Sequence, residues 1–98
     1  MDIGALLAEL LDEAGDVALS PDGEYARSGV AFAAAPPAGG VDVRLGDEIA
    51  EAARRTPDTY ASDRGAGWVH FSPREWDTHA RDRLAGWFRV AWRAAVKP

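Results

Sequence analysis

The chain has 98 residues, which is the length of one modest domain. A hydrophobic fraction of 47% with 28% charged residues is typical of a folded globule and argues against global disorder. There is no cysteine, no apolar run of about 20 residues and no basic-then-apolar leader. These absences exclude disulfides and thiolate chemistry, and we expect one cytoplasmic domain over residues 1–98 with no membrane segment.

The net charge of −5 is unevenly distributed. Residues 1–24 hold seven acids and no Lys or Arg, whereas the remainder holds nine acids and eleven bases. A net acidic domain is a poor default partner for a phosphate backbone. On charge, therefore, nucleic acid is an unlikely class of partner.

The N-terminal half reads as a helix followed by short strands. An apolar stripe at helical spacing predicts a helix over residues 2–14, with Asp2 as N-cap and Gly15 as its end. Turn residues at 20–23 separate a short apolar run at 17–19 from a weakly alternating segment at 24–27. Residues 30–35 read as a strand with Val30, Phe32 and Ala34 on one face and three alanines on the other.

The middle of the chain contains the clearest strand. Residues 41–45 alternate strictly, so Asp42 and Arg44 face away from the three aliphatic side chains. A short helix follows to about residue 55, and residues 57–67 read as a polar loop. Residues 68–71 form the last predicted strand, with Trp68 and His70 on the face opposite Val69 and Phe71.

The last predicted element is a long amphipathic helix. Ser72 is placed as its N-cap, Pro73 as its first residue and Glu75 as the partner in a capping box, and the pattern runs to about Val96. Trp87, Phe88 and Trp92 exceed what so small a core needs. They fill the core against the first helix, or Trp92 seats a second subunit, so the protein is expected to be a monomer or a homodimer.

The order of these elements predicts an α+β fold. Short loops make the early strands antiparallel neighbours, and two main helices each need an apolar surface. A single antiparallel sheet with both helices on one face meets that need. Its other face is then free for solvent or a partner.

From residue 29 onward the chain resembles the MmcQ/YjbR family of small bacterial proteins, which have a frataxin-like (CyaY-like) fold. The resemblance lies in VAFA at 30–33, VDVRL at 41–45, DE at 47–48, TPDTY at 56–60, GWVHF at 67–71 and the long helix carrying Trp92. It implies a CyaY-like fold and the DNA-binding role often attributed to such proteins. It transfers no catalytic residue, and the acidic N-terminal half departs from the more basic family pattern.

The uncovered sheet face is the leading candidate site. Trp68, His70, Asp42 and Arg44 are expected to share it, joined by Tyr25 and Arg27 from the preceding strand. An exposed Trp surrounded by mixed charges is typical of partner-binding surfaces. The alternative is that the 57–67 loop or a second copy covers Trp68.

Other chemistries have weaker support. Glu75 and His79 share a helical face, and Glu9, Asp12, Glu13 and Asp16 can line an acidic edge like that of frataxins, so weak metal binding is an alternative hypothesis. Rim or solvated side chains are the simpler interpretation, and we expect no cofactor and no resident metal. No serine sits in a nucleophile elbow, and Gly65-Ala66-Gly67 precedes a strand instead of following one.

The sequence therefore predicts a non-enzymatic binding module. Its expected partner is a protein or a small molecule held on the open sheet face. DNA binding of the MmcQ/YjbR type is the first alternative, and weak metal binding through the acidic helix edge is the second.

Overall fold

The computed structural model describes residues 3–37 and 39–95, so the predicted cap at Asp2 and the predicted helix end at Val96 lie outside the described residues. In chain order the elements are α1 Ile3–Ala14, β1 Val17–Leu19, β2 Glu24–Arg27, β3 Val30–Ala34, β4 Val41–Arg44, α2 Asp47–Ala53, β5 Thr59–Ala61, β6 Trp68–Phe71 and α3 Thr78–Ala94. None of the helices in this part of the chain is long and apolar enough to cross a membrane.

The strands of the described residues form one six-stranded sheet in the order β1-β2-β3-β4-β6-β5, and every neighbouring pair is antiparallel. The chain makes a meander from β1 to β4, then passes through α2 and returns with β5 and β6, so that β6 inserts between β4 and β5. The predicted α+β class with a single antiparallel sheet is confirmed. Its two edges are β1 and β5.

One face of the sheet carries the core. Val43 lies opposite Ala33 and Val69, and Val41 lies opposite Phe71, so these side chains share a face, and all are buried. They form one apolar cluster with residues from all three helices: Leu6, Leu7 and Leu10 from α1, Ala50 and Ala53 from α2, and Ala80, Leu84, Phe88 and Ala91 from α3. The helices therefore cover this face, with the short α2 added to the two main helices of the prediction.

Aromatic rings pack edge to face at the centre of this core. Phe88 meets Phe32 at 5.1 Å and Tyr25 at 5.9 Å between ring centroids, and Phe71 meets Trp76 and Trp87 at 5.5 and 5.3 Å. Such edge contacts add about 0.5–1.5 kcal/mol each to the burial of the rings. Phe88 is therefore a core residue, as one of the two sequence interpretations expected.

The predicted alternation of β3 is wrong. Tyr25 pairs with Ala33 and Ala26 pairs with Ala31, so Phe32 is an extra residue in a β-bulge. The bulge turns Phe32 and Ala33 toward the helices together, and both are fully buried. Phe32 is large and contacts Phe88, which explains why the strand departs from strict alternation here.

The predicted start of the long helix is also wrong. The backbone N–H of Ser72 donates to the carbonyl of Asp58 at 2.9 Å, which continues the β5–β6 ladder. The chain therefore stays bonded to the edge strand at Ser72, Trp76 then packs against Phe71, and α3 begins only at Thr78, so Ser72 is not its cap. Asp77 is the N-cap instead, and its side chain accepts from the Ala80 N–H at 2.9 Å.

Strand β5 lies inside the segment predicted as a polar loop. It has only three residues, Thr59–Ala61, and pairs with β6 alone. Thr59 is buried, and its hydroxyl forms a hydrogen bond with that of Thr56 at 2.9 Å. So short an edge strand has too few apolar residues to produce a period-2 signal in the sequence.

Candidate binding site on the open sheet face

The strand register places four of the predicted site residues together. Asp42 lies opposite His70, and Arg44 lies opposite Trp68. These residues alternate with the buried Val41, Val43, Val69 and Phe71, so they face away from the helices. His70 also pairs with Tyr60, which brings an exposed tyrosine from the edge strand to the same face. We call this surface, with Asp42, Arg44, Tyr60, Trp68 and His70 at its centre, the open face.

Tyr25 and Arg27 do not lie on the open face, so that prediction is wrong. Tyr25 is buried against Phe88, and burial raises the pKa of its hydroxyl. The guanidinium of Arg27 stacks 3.7 Å from the centroid of the Trp92 ring and donates to the Trp92 carbonyl at 2.9 Å. The weak alternation of residues 24–27 fits either orientation, and burial of the Tyr25 ring decides it.

Trp92 closes the junction of α3 with the end of α1. Its indole Nε1 donates to the Gly15 carbonyl at 3.1 Å, beneath the stacked Arg27. The Trp92 ring therefore already has contacts within the chain, and it is not assigned to a subunit interface.

A nearly buried carboxylate organises the open face. The Asp42 side chain is only 11% exposed, and its Oδ1 atom lies 2.9 Å from His70 Nδ1 and 3.0 Å from Ser62 Oγ, which donates to it. Its Oδ2 atom lies 3.5 Å from Arg64 Nε. A carboxylate removed from water needs such hydrogen-bond donors. Asp42 therefore fixes the positions of three side chains that come from β6 and the β5–β6 loop.

Arg64 extends from that loop across the middle of the open face. Its Nη1 donates to Glu24 Oε2 at 2.7 Å, and its guanidinium lies 5.3 Å from the centroid of the Trp68 ring. Ala34 pairs with both Glu24 and Asp42, the two carboxylates that Arg64 contacts, and is itself buried. A small residue is needed there because the arginine side chain bridges the strands above it.

Beside this arginine lies a groove of about 360 Å³. It is lined by Pro36, Asp42, Tyr60, Ala61, Ser62, Asp63 and His70. The Tyr60 side chain forms an exposed wall, with the residue 56% accessible.

Gly40 leaves the space that the His70 ring occupies at this groove. A Cβ atom at residue 40 would lie 2.6 Å from His70 Nε2 and 2.9 Å from the Phe71 carbonyl oxygen, and the residue has φ +74°. Both the contact and the backbone conformation require glycine. The imidazole therefore has Asp42 on one side and Gly40 on the other, which leaves it little freedom to move.

Ser62, Asp42 and His70 have the composition of a hydrolase triad but not its geometry. Ser62 Oγ and His70 Nδ1 both meet the same oxygen of Asp42, and in the part of the chain that the structure describes no hydrogen bond joins the histidine to the serine. Activation of a serine needs that contact between base and nucleophile. The arrangement orients side chains and does not generate a nucleophile.

The alternative metal sites gain no support from the geometry. Within residues 3–37 and 39–95, no group of three or more His, Cys, Asp and Glu side chains is close enough to hold an ion. On the acidic helix edge, Arg89 binds both carboxylate oxygens of Glu13 at 2.8 and 3.0 Å, which lowers the pKa of Glu13. Glu9 lies 4.0 Å from Arg81. Glu75 and His79 line a separate cavity of about 340 Å³ together with Arg74 and Arg83.

Sequence reasoning missed Tyr60, Ser62 and Arg64, which lie within the predicted loop. No periodic signal marked them, because β5 has only three residues, and their shared face becomes evident only from the pairing of β5 with β6. Comparisons with protein-family models, curated proteins and solved structures give no match. The fold and the site themselves define an α+β protein with three helices on one sheet face and an ordered polar surface on the other.

Proposed function

We propose that this protein is a non-enzymatic binding module that receives its partner on the open face. The observation that carries the proposal is the exposed Tyr60 ring, which stands beside a groove whose Ser62 and His70 side chains are already held by Asp42. Tyrosine, tryptophan and arginine are the residues that contribute most to binding at protein surfaces. The open face carries all three.

Preorganisation supports this proposal. Side chains that must be immobilised on binding each cost about 0.5–1.5 kcal/mol. His70, Ser62 and Arg64 are held in the free protein by Asp42, and Glu24 also holds Arg64. Folding has therefore already immobilised these side chains, and a partner that contacts them loses little further conformational entropy on binding.

DNA binding, which the resemblance to the MmcQ/YjbR family implies, is the weaker proposal. The groove is lined by Asp42 and Asp63, and the net charge of the chain is −5. Phosphates would be repelled there. We expect no retarded migration of duplex DNA even at low salt, and retardation that weakens steeply with salt would favour the DNA-binding role instead.

Selection from a display library of random peptides tests the binding proposal. Peptides are selected on the wild-type protein and then measured by calorimetry against two variants, Tyr60→Ala and Ile49→Ala. Both residues are large and exposed, but Ile49 lies on α2, on the helix side of the sheet. It is therefore a matched control for loss of exposed apolar area.

The expected result is a set of peptides whose affinity falls about tenfold or more in Tyr60→Ala and stays unchanged in Ile49→Ala. Backbone amide NMR should place their shift changes at β5, β6 and the β5–β6 loop. Failure to enrich any peptide, or binding that is indifferent to Tyr60, would contradict the proposal.

A further inference from the structure

The groove on the open face has a negative electrostatic character. Its lining includes the carboxylates of Asp42 and Asp63, and among the described residues no lysine or arginine lines it. Arg64 contacts the lining residue Asp42, and its guanidinium is shared between Asp42 and Glu24. Within residues 3–37 and 39–95, no basic side chain pairs with the Asp63 carboxylate. An incoming cation is the charge that complements this groove.

The exposed wall of the groove is aromatic. Tyr60 stands at the edge strand, and its ring is accessible from the groove. A guanidinium or ammonium group is attracted to the face of a tyrosine ring when it lies within about 6 Å of the centroid. Among the described residues the same chemistry already occurs three times, because Arg27 stacks on Trp92, Arg64 lies over Trp68 and Arg83 lies over Trp87.

The outer edge of β5 is open to an extended chain. Ser72 N–H bonds to Asp58 O and Ser62 N–H bonds to Trp68 O, so residues 58, 60 and 62 use their backbone groups toward β6. In an antiparallel ladder the intervening residues direct theirs the other way. The N–H and C=O of Ala61, an exposed residue that also lines the groove, are therefore directed away from the sheet. Extended peptides bind such edges by adding a strand.

We infer that the groove receives the cationic side chain of an arginine or lysine in an extended peptide segment of a partner protein, laid along the outer edge of β5. This inference rests on the proposed function and names the chemistry of its partner. The Tyr60 ring stacks on the cation, the Asp63 carboxylate pairs with it, and the backbone of Ala61 bonds to the peptide. An acidic segment would meet like charges at Asp42 and Asp63.

The direct test is a calorimetric and NMR titration with defined peptides. One short, otherwise uncharged peptide carries a central arginine, and its twin carries citrulline, which keeps the shape and removes the charge. Arginine amide alone is the third probe, because it has the cation without an extended backbone. Each probe is measured against the wild-type protein and against Tyr60→Ala, Tyr60→Phe, Asp63→Asn and Asp82→Asn. Asp82 is an exposed acid on α3, so its variant makes the same change in net charge away from the groove.

The expected results differ among the probes. The arginine peptide binds, the citrulline peptide binds about tenfold more weakly, and arginine amide binds more weakly still. Tyr60→Ala weakens the arginine peptide about tenfold, whereas Tyr60→Phe keeps the ring face and stays within about twofold. Asp63→Asn lowers the affinity up to about fivefold and removes most of its salt dependence, and Asp82→Asn changes neither.

Two results would overturn the inference. Equal affinity for the arginine and citrulline peptides would show that the charge is not recognised. Equal affinity for arginine amide and the arginine peptide would show that no extended segment is recognised.

These failures are distinguishable from failure of the proposed function. Neutral or acidic peptides from the display library that still depend on Tyr60 would leave the open face as a binding surface and remove only its preference for a cation. If no peptide depended on Tyr60 for its binding, both the proposed function and this inference would be wrong.

Discussion

The covered face of the sheet is held by apolar contacts, whereas the open face is held by polar contacts that converge on Asp42. On the covered face, Phe88 joins the rings of Tyr25 and Phe32, and all three are buried. On the open face, one carboxylate fixes His70, Ser62 and Arg64, whose side chains remain partly accessible. The comparison shows that one strand can contribute to the core and to a binding surface at once. Its successive side chains alternate between a face that stabilises the fold and a face that stays available to a partner.

The largest expected effect comes from removing the central ring of the covered face. Phe88→Ala should lower the free energy of unfolding by about 3–5 kcal/mol, because it leaves a cavity among Tyr25, Phe32 and α3. Denaturant unfolding followed by circular dichroism measures the change. If the variant does not fold, Phe88→Leu should still lose about 1 kcal/mol or slightly more. Wild-type stability in both variants would mean that this face does not carry the core.

Neighbouring residues on β6 give the sharpest comparison of the two faces. Val69→Ala should cost about 2 kcal/mol because Val69 is fully buried, whereas Trp68→Ala should cost about 1 kcal/mol or less because its ring is partly exposed beneath Arg64. The smaller deletion is thus expected to have the larger effect. Denaturant midpoints of the two variants check it, and the opposite order would place Trp68 in the core and end the proposal for the open face.

A third experiment tests the seating of His70. Gly40→Ala and Gly39→Ala both place a Cβ at positive φ, with angles of +74° and +105°, but only the Cβ at residue 40 meets the imidazole. Gly40→Ala should therefore be less stable than Gly39→Ala by about 1 kcal/mol or more. It should also shift the NMR signals of the His70 ring, which Gly39→Ala should leave in place. Identical behaviour of the two variants would show that His70 is not held against Gly40.

The smallest effect is expected at the surface pair between α1 and α3. Arg89 lowers the pKa of Glu13, so the pair contributes stability above the ordinary carboxyl pKa of 4.5 and loses it as the pH falls through the lowered value. Glu13→Gln should therefore be slightly less stable than the wild-type protein at neutral pH and equal to it in strong acid. Thermal unfolding across that pH range measures the difference. In an Arg89→Gln background the difference should vanish at every pH.

The candidate site was only partly accessible to sequence reasoning. The alternation of residues 41–45 and 68–71 was enough to place Asp42, Arg44, Trp68 and His70 on one face. The β5 edge strand was not predicted, since three residues give no periodic signal, and with it Tyr60, Ser62 and Arg64 were missed. These are the residues that shape the groove.

Local pattern also failed where a contact distant in sequence decided the backbone. The bulge at Phe32 depends on the ring of Phe88, which is 56 positions later, and the start of α3 depends on Ser72 joining Asp58 in the β5–β6 ladder. In both places the local pattern favoured a different backbone conformation from the one the structure shows. Burial of a large ring and continuation of a ladder outweighed it.

The sequence by itself determined the α+β class, most of the helices and strands, and the two-sided character of β4 and β6. It could do so because hydrophobic periodicity is a local property of the chain. Only the tertiary structure decided that Tyr25 and Arg27 face the helices, that Arg64 crosses the open face, and that Asp42, Ser62 and His70 meet at one carboxylate oxygen. Those outcomes depend on strand order and register, which bring together residues between 20 and 65 positions apart and are fixed only when the whole core is packed.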